Sequence, residues 1–312
     1  LTVDSIVAVG SLAFDSIQTP FGQVDRALGG SANYFSLAAS FFAEVRCVGV
    51  VGEDYPEDAL SALRSRAIRI DGVQRARGRT FHWAGRYGDD LNEAQTLDTQ
   101  LNVFETFHPM IPESYRDSRF LFLGNIHPNL QRSVLEQLPG RHFVALDTMN
   151  YWIGRTRAEL LDVIGRVQAV VINESEIRQL SGQRGIVAAA DWLLERGPRI
   201  VVVKRGEYGA FLRLGDQAFA VPALPLRRVL DPTGAGDSFA GGFMGYLAQQ
   251  GGEPTFEDLK CAVVLGSIMA SLTVEQFSFD GLLRGTGAEI RRRYEQFYQL
   301  TQLPTYLPPA RA

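Results

Sequence analysis

A chain of 312 residues, 46% hydrophobic and 21% charged, can bury a sizeable core, which excludes wholesale disorder. Its formal net charge of −4 supplies no positive field for a nucleic-acid backbone, so long polyanions are not expected partners. Cys47 and Cys261 form no CxxC pair, which argues against a disulfide scaffold or a structural zinc site. The length suits one large α/β domain spanning 1–312, because large sheets often hold this many residues as one unit. Residues 1–10, LTVDSIVAVG, lack a secretion-signal pattern, and no apolar stretch is long enough to span a bilayer. A cytoplasmic protein without membrane contact is expected.

In chain order, short apolar runs of strand length occur at 5–11, 45–52, 119–124, 142–147, 169–173 and 200–204. Runs such as AVVIN and IVVVK suit strands buried on both faces. Between them, 31–43, 57–67, 157–167 and 186–197 carry apolar residues at helical spacing. Repeated βα units predict a doubly wound, mostly parallel sheet flanked by helices. Two segments break the rhythm, FDSIQTPFGQV (14–24) and 79–104, both with polar alternation and aromatic residues. They read as antiparallel strands outside the main sheet, forming a small β lid over its carboxyl edge, where open α/β sheets bind ligands. Beyond 204 a hairpin with a Gly-Asp turn is followed by helices over 235–250, 255–274 and 286–302, and the Pro-rich 303–312 has no packing pattern.

The segment VLDPTGAGDSFAGGFMGYLAQ (229–249) runs from a short apolar strand through a small-residue turn into a long helix. The backbone N–H groups of Gly234, Ala235 and Gly236 can approach an anion closely, with the helix dipole adding positive potential. Asp237, in the first turn, could then accept a proton from a hydroxyl attacking that anion. The same turn is also compatible with Asp237 acting only as a helix cap. Neither a GxxxxGK[ST] loop nor a GxGxxG fingerprint is present, so the common nucleotide motifs do not decide between these. A nicotinamide-binding fold is disfavoured because the first βα turn lacks the required glycine arrangement.

DPTGAGDSFAGGF (231–243) closely resembles the C-terminal signature of the ribokinase family, also called the PfkB carbohydrate kinases. Further segments resemble the family in the right order, covering about residues 5 to 280. In LGGSANYFSLAAS, Gly29, Gly30 and Asn33 match positions that contact hydroxyls of the phosphate acceptor, although Ser31 could equally cap a helix here. Asp15 matches the acidic residue that binds sugar hydroxyls, while Ala13 stands where ribokinase has Asn, so pentose contacts do not carry over intact. In VVINESEIRQLSG, Asn173 and Glu176 match the NxxE pair that organises magnesium and the ATP phosphates through water, and they also read as a capping box.

In VVVKRGEYGAFL, Lys204 with Gly206 and Gly209 borders the nucleotide by resemblance, and the Lys204 ammonium could reach phosphate as a point charge. Thr233 joins the ATP-binding set, and Gly266 and Ser267 match the helix that leaves a slot for adenine, unless their small size serves helix packing. Asp231 matches the neighbourhood of a monovalent cation, potassium in many relatives.

The resemblance implies an ATP- and Mg2+-dependent kinase acting on a hydroxyl of a small sugar, sugar acid or cyclitol. DTMNYWIGRTRAEL (147–160) sits where sugar-acid kinases carry an Asp-x-Asn-x-Arg stretch, at a different spacing. The alternatives are a nucleoside kinase, with Phe14, Phe81 and Trp83 stacking on a base, and an inactive sugar-binding relative. His82, His108, His127 and His142 have no metal-ligand spacing and read as structural. A homodimer paired through the lid strands would cover their exposed edges.

Overall fold

Apolar runs bounded by polar residues become the strands of a central sheet. The computed structural model describes residues 3–92, 94–140 and 143–302; His142 and the 303–312 tail lie outside them. In chain order the strands are β1 (Ile6–Val9), β2 (Ala13–Thr19), β3 (Gly22–Gly29), β4 (Val45–Val51), β5 (Arg69–Arg75), β6 (Phe81–Tyr87) and β7 (Ala94–Gln100). They continue with β8 (Phe120–Leu123), β9 (Phe143–Leu146), β10 (Ala169–Asn173), β11 (Ile200–Lys204), β12 (Ala210–Leu214) and β13 (Gln217–Val221). Nine form one sheet in the order β13-β12-β11-β10-β9-β8-β1-β4-β5. All its neighbours pair in parallel except the β11-β12 and β12-β13 pairs, which carry the expected hairpin.

The sheet is covered on both faces, and strand alternation divides its side chains between two cores. Ile6 and Ala8 pack on one side with the helices Ser31–Ala39, Ala235–Gln250 and Phe256–Val274. Val7 and Val9 pack on the other with Val134, Leu160, Ile177 and Leu193 of four further helices. The Ala235–Gln250 helix lies close to its neighbours because Gly241 and Gly245 meet the backbone of the Ser31–Ala39 helix.

The second sheet has the order β3-β2-β6-β7. The β2–β3 and β6–β7 hairpins are antiparallel as expected, but they join through a parallel β2–β6 pair. Sequence alternation shows which residues share a face, not how two hairpins meet. The predicted 14–24 segment contains most of β2 and only the start of β3, which runs on to Gly29. β2 and β6 keep an unbroken register from Ala13↔Phe81 to Gln18↔Arg86. Ala13, Asp15, Ile17, Phe81, Trp83, Gly85 and Tyr87 therefore share one face, turned toward the main sheet.

Candidate active site

The carboxyl ends of β9, β10 and β11 each finish a buried apolar run with a polar residue: Asp147 just after β9, Asn173 ending β10 and Lys204 ending β11. Parallel pairing puts Asn173 directly beside Lys204. The lysine does not extend into solvent. Its Nζ donates to Asp147 Oδ2 at 2.8 Å, with both side chains largely buried. Burial pulls the Lys204 pKa down, but Asp147, Glu176 and Asp237 together hold it above the ordinary lysine value.

Asn173 Oδ1 accepts from the Glu176 amide at 2.8 Å, and Glu176 Oε2 accepts from the Asn173 amide at 2.9 Å. This capping box starts the helix Glu174–Ser181 and uses one Glu176 oxygen. Burial first, then the Asp147 charge, raises the Glu176 carboxyl to about 8, with Lys204 opposing.

Gly234 precedes the helix Ala235–Gln250 with φ 74, a left-handed conformation that glycine tolerates best. A side chain there would also strike the Tyr34 ring. This conformation starts the helix with Ala235, Gly236 and Asp237 in its first turn, where N–H groups lack intrahelical partners, although the Ala235 N–H turns back to donate to Pro232 O at 3.1 Å. A β-carbon on Gly236 would lie 2.8 Å from Lys204 Nζ, so the ammonium stands beside this helix start. Asp237 is partly buried. Burial and the Asp147 charge push its carboxyl up to about 7, with Lys204 opposing. A carboxylate with its pKa near neutrality, at a helix start and beside a cation, can exchange a proton at moderate pH.

Asp231 Oδ1 accepts from the Thr233 amide at 2.9 Å. Its Oδ2 is buried without a partner, and burial raises its pKa. That orphaned oxygen fits a bound cation in its chemistry.

Asp15 hangs from β2 over this floor and is 5% exposed. Burial, with the charges of Asp231 and Asp237, raises its carboxyl to about 8, and the Gly30 backbone opposes the rise. Its carboxylate occupies the space a Gly29 side chain would need. Gly30 has φ 95, and a β-carbon there would meet Ser11 O at 2.5 Å. Asn33 is fully buried; its Nδ2 donates to Gly29 O at 2.5 Å and Tyr55 Oη at 3.0 Å, while Oδ1 has no partner. Asn33 therefore stands behind the glycine pair rather than at an open surface.

Several expected residues have packing roles. Gly266 faces Phe239 O, with a β-carbon contact of 2.8 Å, so its smallness lets two helices approach. The Ser267 hydroxyl donates to Val263 O at 3.1 Å within its own helix. Gly209 has φ 93 and faces the Val221 carbonyl, and Gly206 has φ 54 and faces Asn92 of the β6–β7 connection. Phe14 packs beside Tyr55 under Arg26, and Phe81 stacks with Phe104. Phe81 and Trp83 are both half-buried on the inner face; Trp83 is the one in register with Asp15, and its indole N–H donates to Thr96 Oγ1 at 3.2 Å. His82 contacts Ser16 Oγ at 2.8 Å, and His127 caps a helix by accepting from the Asn129 amide.

Sequence reading missed two residues. Asp147 ends an apolar run as Asn173 and Lys204 do, and that shared pattern could have identified it. Tyr87 Oη lies 3.1 Å from Thr233 Oγ1, linking the small sheet to the glycine-rich turn, and no local motif announces it.

Among the described residues, no group of three or more His, Cys, Asp or Glu side chains is arranged to hold a metal. No helix among them is long and apolar enough to cross a membrane.

Residues 2–281 match the model of the pfkB family carbohydrate kinases. A cytidine kinase of Thermococcus kodakarensis is 33% identical over 247 residues, covering 77% of this chain and 87% of that protein. Solved folds agree. A nucleoside kinase of Burkholderia thailandensis in complex with inosine superposes with a TM-score of 0.77 at 20% identity, covering 94% of this chain and 98% of that one. A Methanocaldococcus jannaschii nucleoside kinase, described as an archaeal member of the ribokinase family, gives 0.76 at 20% identity over 94% and 98% of the two chains. With its glycine-rich helix start, its polar sheet edge and a family match over nearly its whole length, the chain belongs to the pfkB carbohydrate kinase family and is an ATP-dependent kinase.

Proposed function

We propose that the protein transfers the γ-phosphoryl group of ATP to a hydroxyl of a nucleoside, with Asp237 as general base. The observation that carries the acceptor class is Trp83, a half-buried indole on the inner face of the small sheet in register with Asp15. An aromatic face beside a carboxylate matches a ligand with a flat base on one side and a diol on the other. The similarity to a cytidine kinase supports the same reading.

The acceptor lies between the small sheet and the glycine-rich turn, with Asp15 accepting from its hydroxyls and the Gly29-Gly30 turn making room for that carboxylate and for the Ser11 backbone. Asn33 holds the Gly29 carbonyl in place. ATP lies over the ends of β10 and β11, bordered by Gly206, Gly209 and Thr233, and Lys204 is near its phosphates. The Gly234 and Gly236 amides receive charge on the transferring group, joined by Ala235 once its N–H leaves Pro232 O, and Asp237 takes the hydroxyl proton. Glu176, with one oxygen outside the capping box, would hold magnesium through water, which suits a cation that arrives with phosphates and keeps its hydration. Magnesium would neutralise phosphate charge. Asp231 Oδ2 would face a monovalent cation such as potassium.

A sugar, sugar acid or cyclitol acceptor is the second reading, favoured by Asp15 and the Gly29-Gly30 turn, which recognise hydroxyls without requiring a base. ATP-dependent phosphorylation across nucleosides, pentoses, hexoses, sugar acids and inositols separates the two. The nucleoside reading predicts turnover of at least one nucleoside. It also predicts a rise of about tenfold in that acceptor's KM in Trp83→Ala, as loss of base stacking implies. Turnover confined to sugars or cyclitols, or an unchanged KM, would reject it.

A further inference from the structure

We propose that Asp147 is a positioning residue for phosphoryl transfer, holding the Lys204 ammonium beside the start of the Ala235–Gln250 helix. This rests on the reading of Lys204 as a phosphate contact and adds a residue outside the glycine-rich turn and the Asn173/Glu176 pair.

Asp147 is fixed on every side. Its amide donates to Leu123 O at 2.9 Å, and its carbonyl accepts from Gln131 Nε2 at 3.1 Å. Gln131 is fully buried and also donates to Gly124 O at 2.9 Å, tying the ends of β8 and β9 together. Of the two carboxylate oxygens, Oδ1 accepts from the Thr148 amide at 2.8 Å and Oδ2 from Lys204 at 2.8 Å. The carboxylate therefore has a single orientation.

Lys204 is two strands away, so its side chain must run across the carboxyl end of β10 to make this contact. Lysine is a flexible, strongly hydrated point charge that ordinarily extends into water. Here it is 14% exposed and passes close to Gly236. A buried ion pair often gains little stability over a well-packed apolar pair. Its result here is placement: a flexible cation is held within reach of the helix start where phosphate charge would collect. The opposing carboxylates of Glu176 and Asp237 pull on the same ammonium, and a lysine without Asp147 would be drawn toward the base instead.

The test compares Asp147→Asn, Lys204→Met and the double variant, measuring kcat, KM for ATP, KM for the acceptor and thermal unfolding. Lys204→Met should lower kcat/KM for ATP by about 10²-fold, the scale of losing one charge-stabilising group. Asp147→Asn should lower it by about tenfold with the acceptor KM unchanged. If Asp147 acts through Lys204, the double variant is no worse than Lys204→Met, because the two losses are one loss. Asp147→Glu keeps the charge out of place and serves if Asp147→Asn does not fold; an intermediate loss confined to ATP is expected. Losses that multiply, or an Asp147 defect spread equally over ATP and acceptor, would overturn the positioning role while leaving Lys204 as a phosphate contact. Unchanged ATP kinetics in Lys204→Met would instead remove the phosphate contact itself, and the positioning role with it.

Discussion

At Gly234 two constraints coincide, a left-handed backbone with φ 74 and the Tyr34 ring where a side chain would begin. A non-glycine residue in that conformation costs about 1–2 kcal/mol, and displacing a packed ring costs about 1–3 kcal/mol more. Gly234→Ala is therefore expected to lose at least about 2 kcal/mol in denaturant unfolding, and an unchanged midpoint would mean that the turn relaxes freely. That Gly234, Asp237 and Asp231 stand together at one helix start was legible in the sequence because one segment carries all three. Asp147 shows in the sequence only as a polar residue ending an apolar run; its pairing with Lys204 does not, because the partner is 57 positions away and the contact exists only once β9 and β11 lie two strands apart.

Among the elements, the bond between Tyr87 on β6 and Thr233 is a direct link from the small sheet to the glycine-rich turn. A hydrogen bond of this kind is worth about 1 kcal/mol. Tyr87→Phe should raise the acceptor KM about fivefold while leaving ATP binding by calorimetry unchanged; loss of ATP affinity would mean that the bond supports the turn rather than the acceptor side. Buried strands such as β10 and β11 were legible because both faces are apolar. β5 was not: RIDGVQR mixes charged and apolar residues without a run or a strict alternation, as an edge strand with one partner allows. The helix Pro128–Gln137 was hidden by a proline that occupies its first position, where no N–H is needed, behind a His127 cap. The parallel join between β2 and β6 follows from how the hairpins dock, which local alternation does not encode.

For the whole molecule, the site concentrates acids whose carboxyls are held protonated above their ordinary range: Asp15 and Glu176 to about 8, Asp237 to about 7. In the unfolded chain these groups release their protons near pH 4. Between about pH 4 and 8 the folded state therefore binds more protons than the unfolded one, so this site's contribution to stability falls as pH rises. Without ATP or metal, Tm should be lower at about pH 8 than at about pH 6, and a rise over that interval would contradict the clustering of these acids. Below that window the opposite group takes over, since Glu289 is held down to about 2 by Arg292 and Arg293 and loses its contribution on protonation.

The same raised pKa makes Asp237 usable as a base, since activity should increase as pH passes upward through about 7. The acceptor reading presupposes that base at the helix start, whereas the Asp147 positioning role rests on Lys204. The most direct test is the phosphoryl-transfer rate of Asp237→Asn at saturating ATP and acceptor. Loss of a general base predicts a fall in kcat of about 10²- to 10⁴-fold, with ATP binding by calorimetry retained. A variant that transfers phosphate at the wild-type rate would contradict the assignment of Asp237 as base.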